Sequence, residues 1–316
     1  MTVIQFRMLS VCRLLLSLAL ILSLGGTAMA APGKGRQMSF ATPEEAVKGL
    51  VEAVKANDAK KLAAILGPGS GELISSGDPV EDRQGRERFV RHFEEKNLVE
   101  LKGAERAILS IGTADYPFPI PLVKRGRAWC FDTRSGRQEI LNRRIGRNEL
   151  AVMDVLRAYV DAQREYAAKD HDGNGVREFA QRLNSTPGTH DGLYWEARQG
   201  EEESPFGPLA AQADCEGYGP EFKSMKPEPF HGYYFKVLKS QGKNAEGGTF
   251  DYVVNGRMVL GFAMVAYPAK YRASGVMTFV VNQNGVIYQK DLGRGTDRLA
   301  GELKQYNPDA SWKKLD

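Results

Sequence analysis

The residues with the most specific chemical spacing are Asp170-His171-Asp172-Gly173-Asn174-Gly175-Val176-Arg177-Glu178. Side-chain oxygens at the first, third and fifth places (Asp170, Asp172, Asn174), glycine at the sixth, the Val176 carbonyl at the seventh and Glu178 at the ninth follow the opening of a calcium loop. Calcium is a hard cation that takes about six to eight oxygen ligands, and this spacing wraps them round one point. The twelfth place is Gln181, where the full motif has a bidentate Glu. A bound ion here is expected to be structural, clipping a helix to the chain that follows it. The same residues also suit a solvated turn between two helices.

Other reactive types are scattered. His92, His171, His190 and His231 show no ligand spacing with one another or with the cysteines, so calcium is the one cofactor the sequence suggests. Cys130 and Cys215 remain once a leader is removed. They form a disulfide candidate in an oxidising compartment, the alternative being two small buried apolar residues. Ser70, in Gly-Ser-Gly, lacks the strand-turn-helix frame of a nucleophile elbow. Gly67-Pro68-Gly69 has no Lys-Ser/Thr after it and reads as a helix stop. Arg143, Arg144 and Arg147 stand just before a long helical pattern, where they oppose the macrodipole; they read as a solvated charged face. No catalytic residue is nominated.

The elements that must position these residues begin with a leader. Arg7 and Arg13 precede an apolar run from Leu14 to Leu24 that ends at Ala28-Met29-Ala30, the form of a signal peptide cleaved after Ala30. The run is short for a membrane span, so the mature chain is expected to be periplasmic or secreted with no stable membrane anchor. At 316 residues, 42% hydrophobic and 26% charged, the chain is globular and long enough for two domains. A net charge of +4 with Asp and Glu interspersed among Lys and Arg leaves no basic stripe, which excludes a nucleic-acid partner.

Residues 31–37 form a polar lead expected to be disordered. Thr42-Pro43-Glu44-Glu45 opens a helix with a capping box, and a second helix follows from Asp58 to Leu66. Asp78 to Glu94 is helical in pattern, and strand candidates run from Arg106 to Asp132, with Pro117, Pro119 and Pro121 confining one segment to an edge. The longest helical pattern covers Asn148 to Ala168, followed by an irregular stretch from Asn184 to Pro229. Strands from Gly232 onward form an antiparallel meander that closes with an Asn284-Gly285 turn. The fold class is therefore α+β: helices on a curved antiparallel sheet (38–135), then a long helix packed on a meander (136–300), and a tail (301–316).

The opening TPEEAVKGLVEAVKANDAKKLAAIL resembles the first helices of the nuclear-transport-factor-like superfamily, whose cone-shaped fold hosts enzymes and non-enzymes alike. The helix NELAVMDVLRAYVDAQREYA followed by GYYFKVL, GFAMVAYPA and GVMTFVVNQNGVIYQKDLG resembles the globular part of type IV pilins and type II secretion pseudopilins. A folded domain here replaces their apolar N-terminal helix, so only the fold is implied. From FATPEEAV to DASWKKL the chain also resembles a secreted bacterial family catalogued as domain of unknown function 2950, which implies no activity. The expectation is a non-enzymatic protein that binds an envelope or extracellular protein or another envelope component. The alternative is a small-ligand binder or enzyme using the concave face of the first domain, with Asp78, Asp82, His92 and Trp129 as candidate lining.

Overall fold

The structure, a computed structural model, describes residues 37–219 and 228–315. The leader and its cleavage point at Ala30 lie outside the described residues. Thr42 starts the first helix as its sequence requires. Its Oγ1 accepts from the N–H of Glu45 at 3.1 Å, and Glu45 Oε2 reaches back to the N–H of Ala41 at 3.1 Å. Helix α1 (Pro43–Lys55) buries Ala46, Val47, Leu50, Val51 and Val54. Asp58 caps α2 (Ala59–Leu66), which Gly67 ends at a φ of 77°. A single turn, α3 (Gly71–Ile74), leads to α4 (Pro79–Glu95), capped by Asp78.

Strands β1 (Asn97–Leu101), β2 (Arg106–Ile111), β3 (Tyr116–Pro117), β4 (Leu122–Arg125) and β5 (Ala128–Phe131) then form an antiparallel sheet in the order β1-β2-β4-β5. The proline-rich segment supplies only β3, which pairs with β2 at two positions, because proline has no N–H to give a ladder. Leu50, Ile65, Leu109, Ile120, Leu122 and Phe131 make the first core.

Helix α5 runs from Thr133 to Tyr166, 34 residues and about 50 Å, beginning well before the expected start at Asn148. Residues 133–147 are too rich in charge to show an apolar stripe, yet nothing in them breaks a helix. Arg143, Arg144 and Arg147 are therefore interior helical residues, not residues at a helix start, and they do not oppose its dipole there. Leu141 lies in the first half of α5, while Val152, Leu156, Tyr159 and Val160 belong to the second core.

After α6 (Gly207–Cys215) comes β6 (Tyr233–Leu238). The short strands β7 (Ser240–Gln241), β8 (Phe250–Asp251), β9 (Val253–Val254) and β10 (Arg257–Met258) precede β11 (Ala263–Pro268), β12 (Met277–Asn282) and β13 (Tyr288–Asp291). A last helix, α7 (Thr296–Glu302), precedes β14 (Lys313–Lys314). The second sheet has the order β14-β13-β12-β11-β6, and β11, an interior strand, is almost wholly buried. The Asn284-Gly285 turn sits in this meander, with Gly285 at a φ of 75° and its N–H donated to Asn282 O at 2.8 Å.

Gly35–Asp316 forms one compact unit, in which a small third cluster of Val155, Ala213, Tyr218 and Phe230 packs against Val80 of α4 and polar ties join the two halves of the chain. The buried Asp78 carboxylate accepts from the hydroxyl of Tyr218 at 2.9 Å and the N–H of Gly232 at 2.8 Å, while Lys270 Nζ donates to Ser75 O at 3.2 Å. Among the described residues no helix is long and apolar enough to cross a membrane.

Candidate functional site

A cavity of about 280 Å³ opens between α4 and the first core. Its floor is apolar: Leu50 and Val54 from α1, Leu62 and Leu66 from α2, and Phe118 and Ile120 from the proline-rich crossing. Helix α4 covers it loosely, because its sequence is mostly charged and only Glu81 among its residues is buried. Gly85 faces the cavity, and a methyl group placed on it meets nothing closer than Arg88 Nη2 at 3.8 Å. Ile140, Arg143, Arg144 and Arg147 of α5 form the remaining wall.

Five arginines stand round this space against two carboxylates, Glu81 and Asp82. The Glu81 side chain is 8% exposed; its Oε1 accepts from Arg88 Nη2 at 2.8 Å and from Arg147 Nη2 at 3.3 Å. Arg144 donates to Glu72 O at 2.6 Å and Leu73 O at 2.7 Å, so it caps α3, and it reaches Ala273 O at 3.5 Å. Burial holds its guanidinium below its ordinary pKa, against the raising effect of Asp82 and Glu81. Burial likewise pushes Asp82 up, although both of its oxygens accept from the N–H of Ser76 and Arg144 and Arg86 favour its charge. For both groups desolvation outweighs pairing, because Arg144 spends its hydrogens on carbonyls and not on Asp82.

Of the four residues nominated for a concave site, Asp82 alone lines the cavity. Asp78 is the buried cap of α4, accepting from Val80 at 3.0 Å and Glu81 at 3.1 Å. His92 lies in the last turn of α4, exposed, 3.2 Å from Glu95. Trp129 is buried in β5, where its backbone pairs with Phe40. Sequence reasoning missed Glu81, Arg86 and Arg88 and took the α5 arginines for a solvated face. Positions 81, 85 and 88 and positions 140, 144 and 147 each share a helical face, so each stripe was readable, but not that the two stripes meet.

The 170–178 loop closes largely on itself. Asp170 accepts from the N–H groups of Gly173, Asn174 and Gly175, the last at 2.7 Å, and these bonds, that from Gly175 foremost, hold its carboxyl below the usual range. Asp172 accepts from Asn174, and Asn174 Oδ1 accepts from Val176 N at 2.8 Å and from Arg257 Nη1 at 2.7 Å. Gln181, at the twelfth place, donates to Gly256 O at 2.6 Å and accepts from Lys239 at 3.0 Å. Asp172 and Glu178 line a polar cleft of about 660 Å³ with Tyr166, His171, His190 and Asp191. His171 stacks on Tyr166 and His190 on Trp195, each at 4.1 Å between ring centres. Burial, then the charges of Glu178, Asp191 and Asp172, push Tyr166 up to about 12. Among the described residues no three His, Cys, Asp or Glu side chains are grouped to hold a metal. With a guanidinium already on Asn174 and Gln181 committed elsewhere, the donor set as it stands is incomplete for calcium.

The two cysteines proposed as a pair are both free in the structure: Cys130 is buried in β5 and Cys215 is exposed at the end of α6. Ser70 is buried and donates to Gly67 O at 2.7 Å, which makes it part of the helix stop.

The fold is thus that of an α+β protein whose two cores share one helix and whose first core holds an arginine-rimmed cavity. The chain matches the family described as "Protein of unknown function (DUF2950)" over residues 37–315, and it belongs to that family. No curated protein and no solved structure matches it.

Proposed function

We propose that this is a non-catalytic binding protein that holds a small, largely apolar molecule in the cavity beneath α4. The observation that carries this reading is the cavity itself, with an apolar floor and converging polar groups at its rim. Its described lining contains no Ser, Thr, Cys or His, and its two carboxylates are engaged, Glu81 by Arg88 and Arg147 and Asp82 by the N–H of Ser76, which favours binding over catalysis. The size suits one short chain or ring system.

Export is part of the proposal and rests on the leader sequence. The bound molecule would be an envelope or extracellular component, received from or passed to a partner protein. The cavity beneath helices on a sheet supports the cone-like reading of the first half, and α5 against the meander supports the pilin-like reading of the second. Fractionation of cells making the full chain, with N-terminal sequencing, tests export; a first residue other than Ala31 would overturn the cleavage assignment.

Binding is tested with octanol on the purified protein and on Gly85→Leu, which fills the cavity from α4. A ligand at a hundred times its Kd stabilises by about 2.7 kcal/mol, or roughly 5–10 °C in Tm. That rise is expected in the wild type and not in Gly85→Leu, which should fold at least as well because leucine is the better helix former. An equal response in both proteins, or none in the wild type, would overturn the reading.

A further inference from the structure

What each rim arginine is bonded to decides what it has left to bind. Arg144 and Arg86 donate to neutral acceptors: Arg144 to the carbonyls of Glu72, Leu73 and Ala273, Arg86 to Ile74 O and Asn57 Oδ1. Their charges are fixed in place by these bonds and are not cancelled by them. Arg143 is turned to Glu139 and lies 4.5 Å over the Tyr116 ring. Arg88 and Arg147 come from different helices and meet on a single oxygen of Glu81, which is almost wholly withdrawn from water; Arg88 also donates to the neutral Gln84 Oε1 at 3.3 Å. Asp82 turns both its oxygens to Ser76. One inward carboxylate oxygen therefore serves two guanidinium groups, with two further fixed cations close by and an apolar floor beneath them.

Arg88 is about two-thirds withdrawn from water and Arg147 keeps its outer half in solvent, so the pair faces both the cavity and its mouth; guanidinium forks match the two oxygens of a carboxylate. Resting on the binding reading above, we infer that the molecule held in this cavity is an amphiphilic carboxylate. Its head joins the Arg88–Glu81–Arg147 cluster and its chain lies on Leu50, Leu62, Phe89 and Ile120. Glu81 is the resident stand-in: its carboxylate occupies the place of the ligand's head and competes with it. The alkyl chain supplies affinity and the arginines supply selection for charge.

The test is calorimetric titration of the purified full chain with octanoate and with octanol, two probes of nearly the same shape that differ in charge. Octanoate should bind about 10–100-fold more tightly, the range expected for hydrogen bonds to a charged group. Arg147→Met should remove most of that preference, weakening octanoate far more than octanol; Arg147 is more than half exposed, so its loss spares the core. Glu81→Gln, which keeps an oxygen for Arg88, should tighten octanoate several-fold and change octanol far less. Raising salt should weaken octanoate alone. Equal affinities for the two probes in the wild type would overturn the headgroup assignment and leave the cavity reading standing, and so would octanoate binding unmoved by both substitutions. Failure of both probes to bind would sink both readings.

Discussion

Replacing Asp78 by alanine should cost as much stability as truncating a large side chain of the first core. The side chain is fully buried and its two oxygens serve four donors: Val80 N and Glu81 N at the start of α4, and Tyr218 Oη and Gly232 N from the second half of the chain. Losing the cap costs about 1 kcal/mol. Leaving the Tyr218 hydroxyl and the Gly232 N–H buried without an acceptor adds about 1–3 kcal/mol each. The sum, roughly 3–7 kcal/mol, is a large part of the ~5–15 kcal/mol available to a typical protein. Asp78→Asn keeps an oxygen for the cap but sets an amide N–H₂ near the Gly232 donor, so it should fall between the two. Tyr218→Phe removes one of the same bonds, so the double mutant should lose less than the sum of the singles. Urea unfolding followed by tryptophan fluorescence reads both cores, because Trp129 lies in the first and Trp195 in the second. A loss below about 1 kcal/mol for Asp78→Ala would refute the claim that this carboxylate ties the cores together.

Two glycines in α5 should respond to alanine with opposite signs. A methyl group on Gly146 meets nothing within 4 Å, so Gly146→Ala should gain about 1 kcal/mol of helix propensity, whereas at Gly136 it would overlap the Pro119 carbonyl, so Gly136→Ala should lose about 1–3 kcal/mol. Equal denaturation midpoints for the two variants would contradict the packing of α5 on the proline-rich segment. Burial pushes Tyr166 and Tyr252 up to about 12 and raises Tyr159, Tyr218, Tyr233 and Tyr306 still further. Unfolded tyrosine loses its proton near pH 10 while these keep theirs, so the unfolded state binds fewer protons and stability should fall as pH rises from about 10 through 12. An absorbance titration in which every tyrosine ionises smoothly near pH 10, with the fold intact, would count against it. Calcium at the 170–178 loop must displace Arg257 from Asn174, so added calcium should raise the Tm of Arg257→Ala more than that of the wild type; melts identical with calcium and with chelator in both proteins would show that the loop takes no cation.

Local chemistry was legible wherever a short-range rule decides structure. Thr42, Asp58 and Asp78 announce their helices because a cap needs only a side-chain oxygen and three following residues. The prolines at 117, 119 and 121 forbid a central strand without reference to any partner. The first half of α5 was not legible as helix, because its contacts come from small or charged residues such as Gly136, Arg144 and Arg147, with Ile140 and Leu141 too few to mark an apolar period. The rim was hidden for a different reason. Arg88 and Arg147 are 59 positions apart in the chain, and nothing local to either shows that Glu81 lies between them.

The continuity of α5 fixes its phase. Inserting one residue turns everything beyond it by about 100°, so an insertion between Arg147 and Val152 leaves either the arginines facing away from the cavity or Tyr159 and Tyr166 facing away from their core. An added turn of about four residues nearly restores the angle but moves the halves about 6 Å apart, stretching the bonds that Tyr218 and Gly232 make to Asp78. Homologous chains are thus free to lengthen their loops, while the helix between Leu141 and Tyr159 must keep its count.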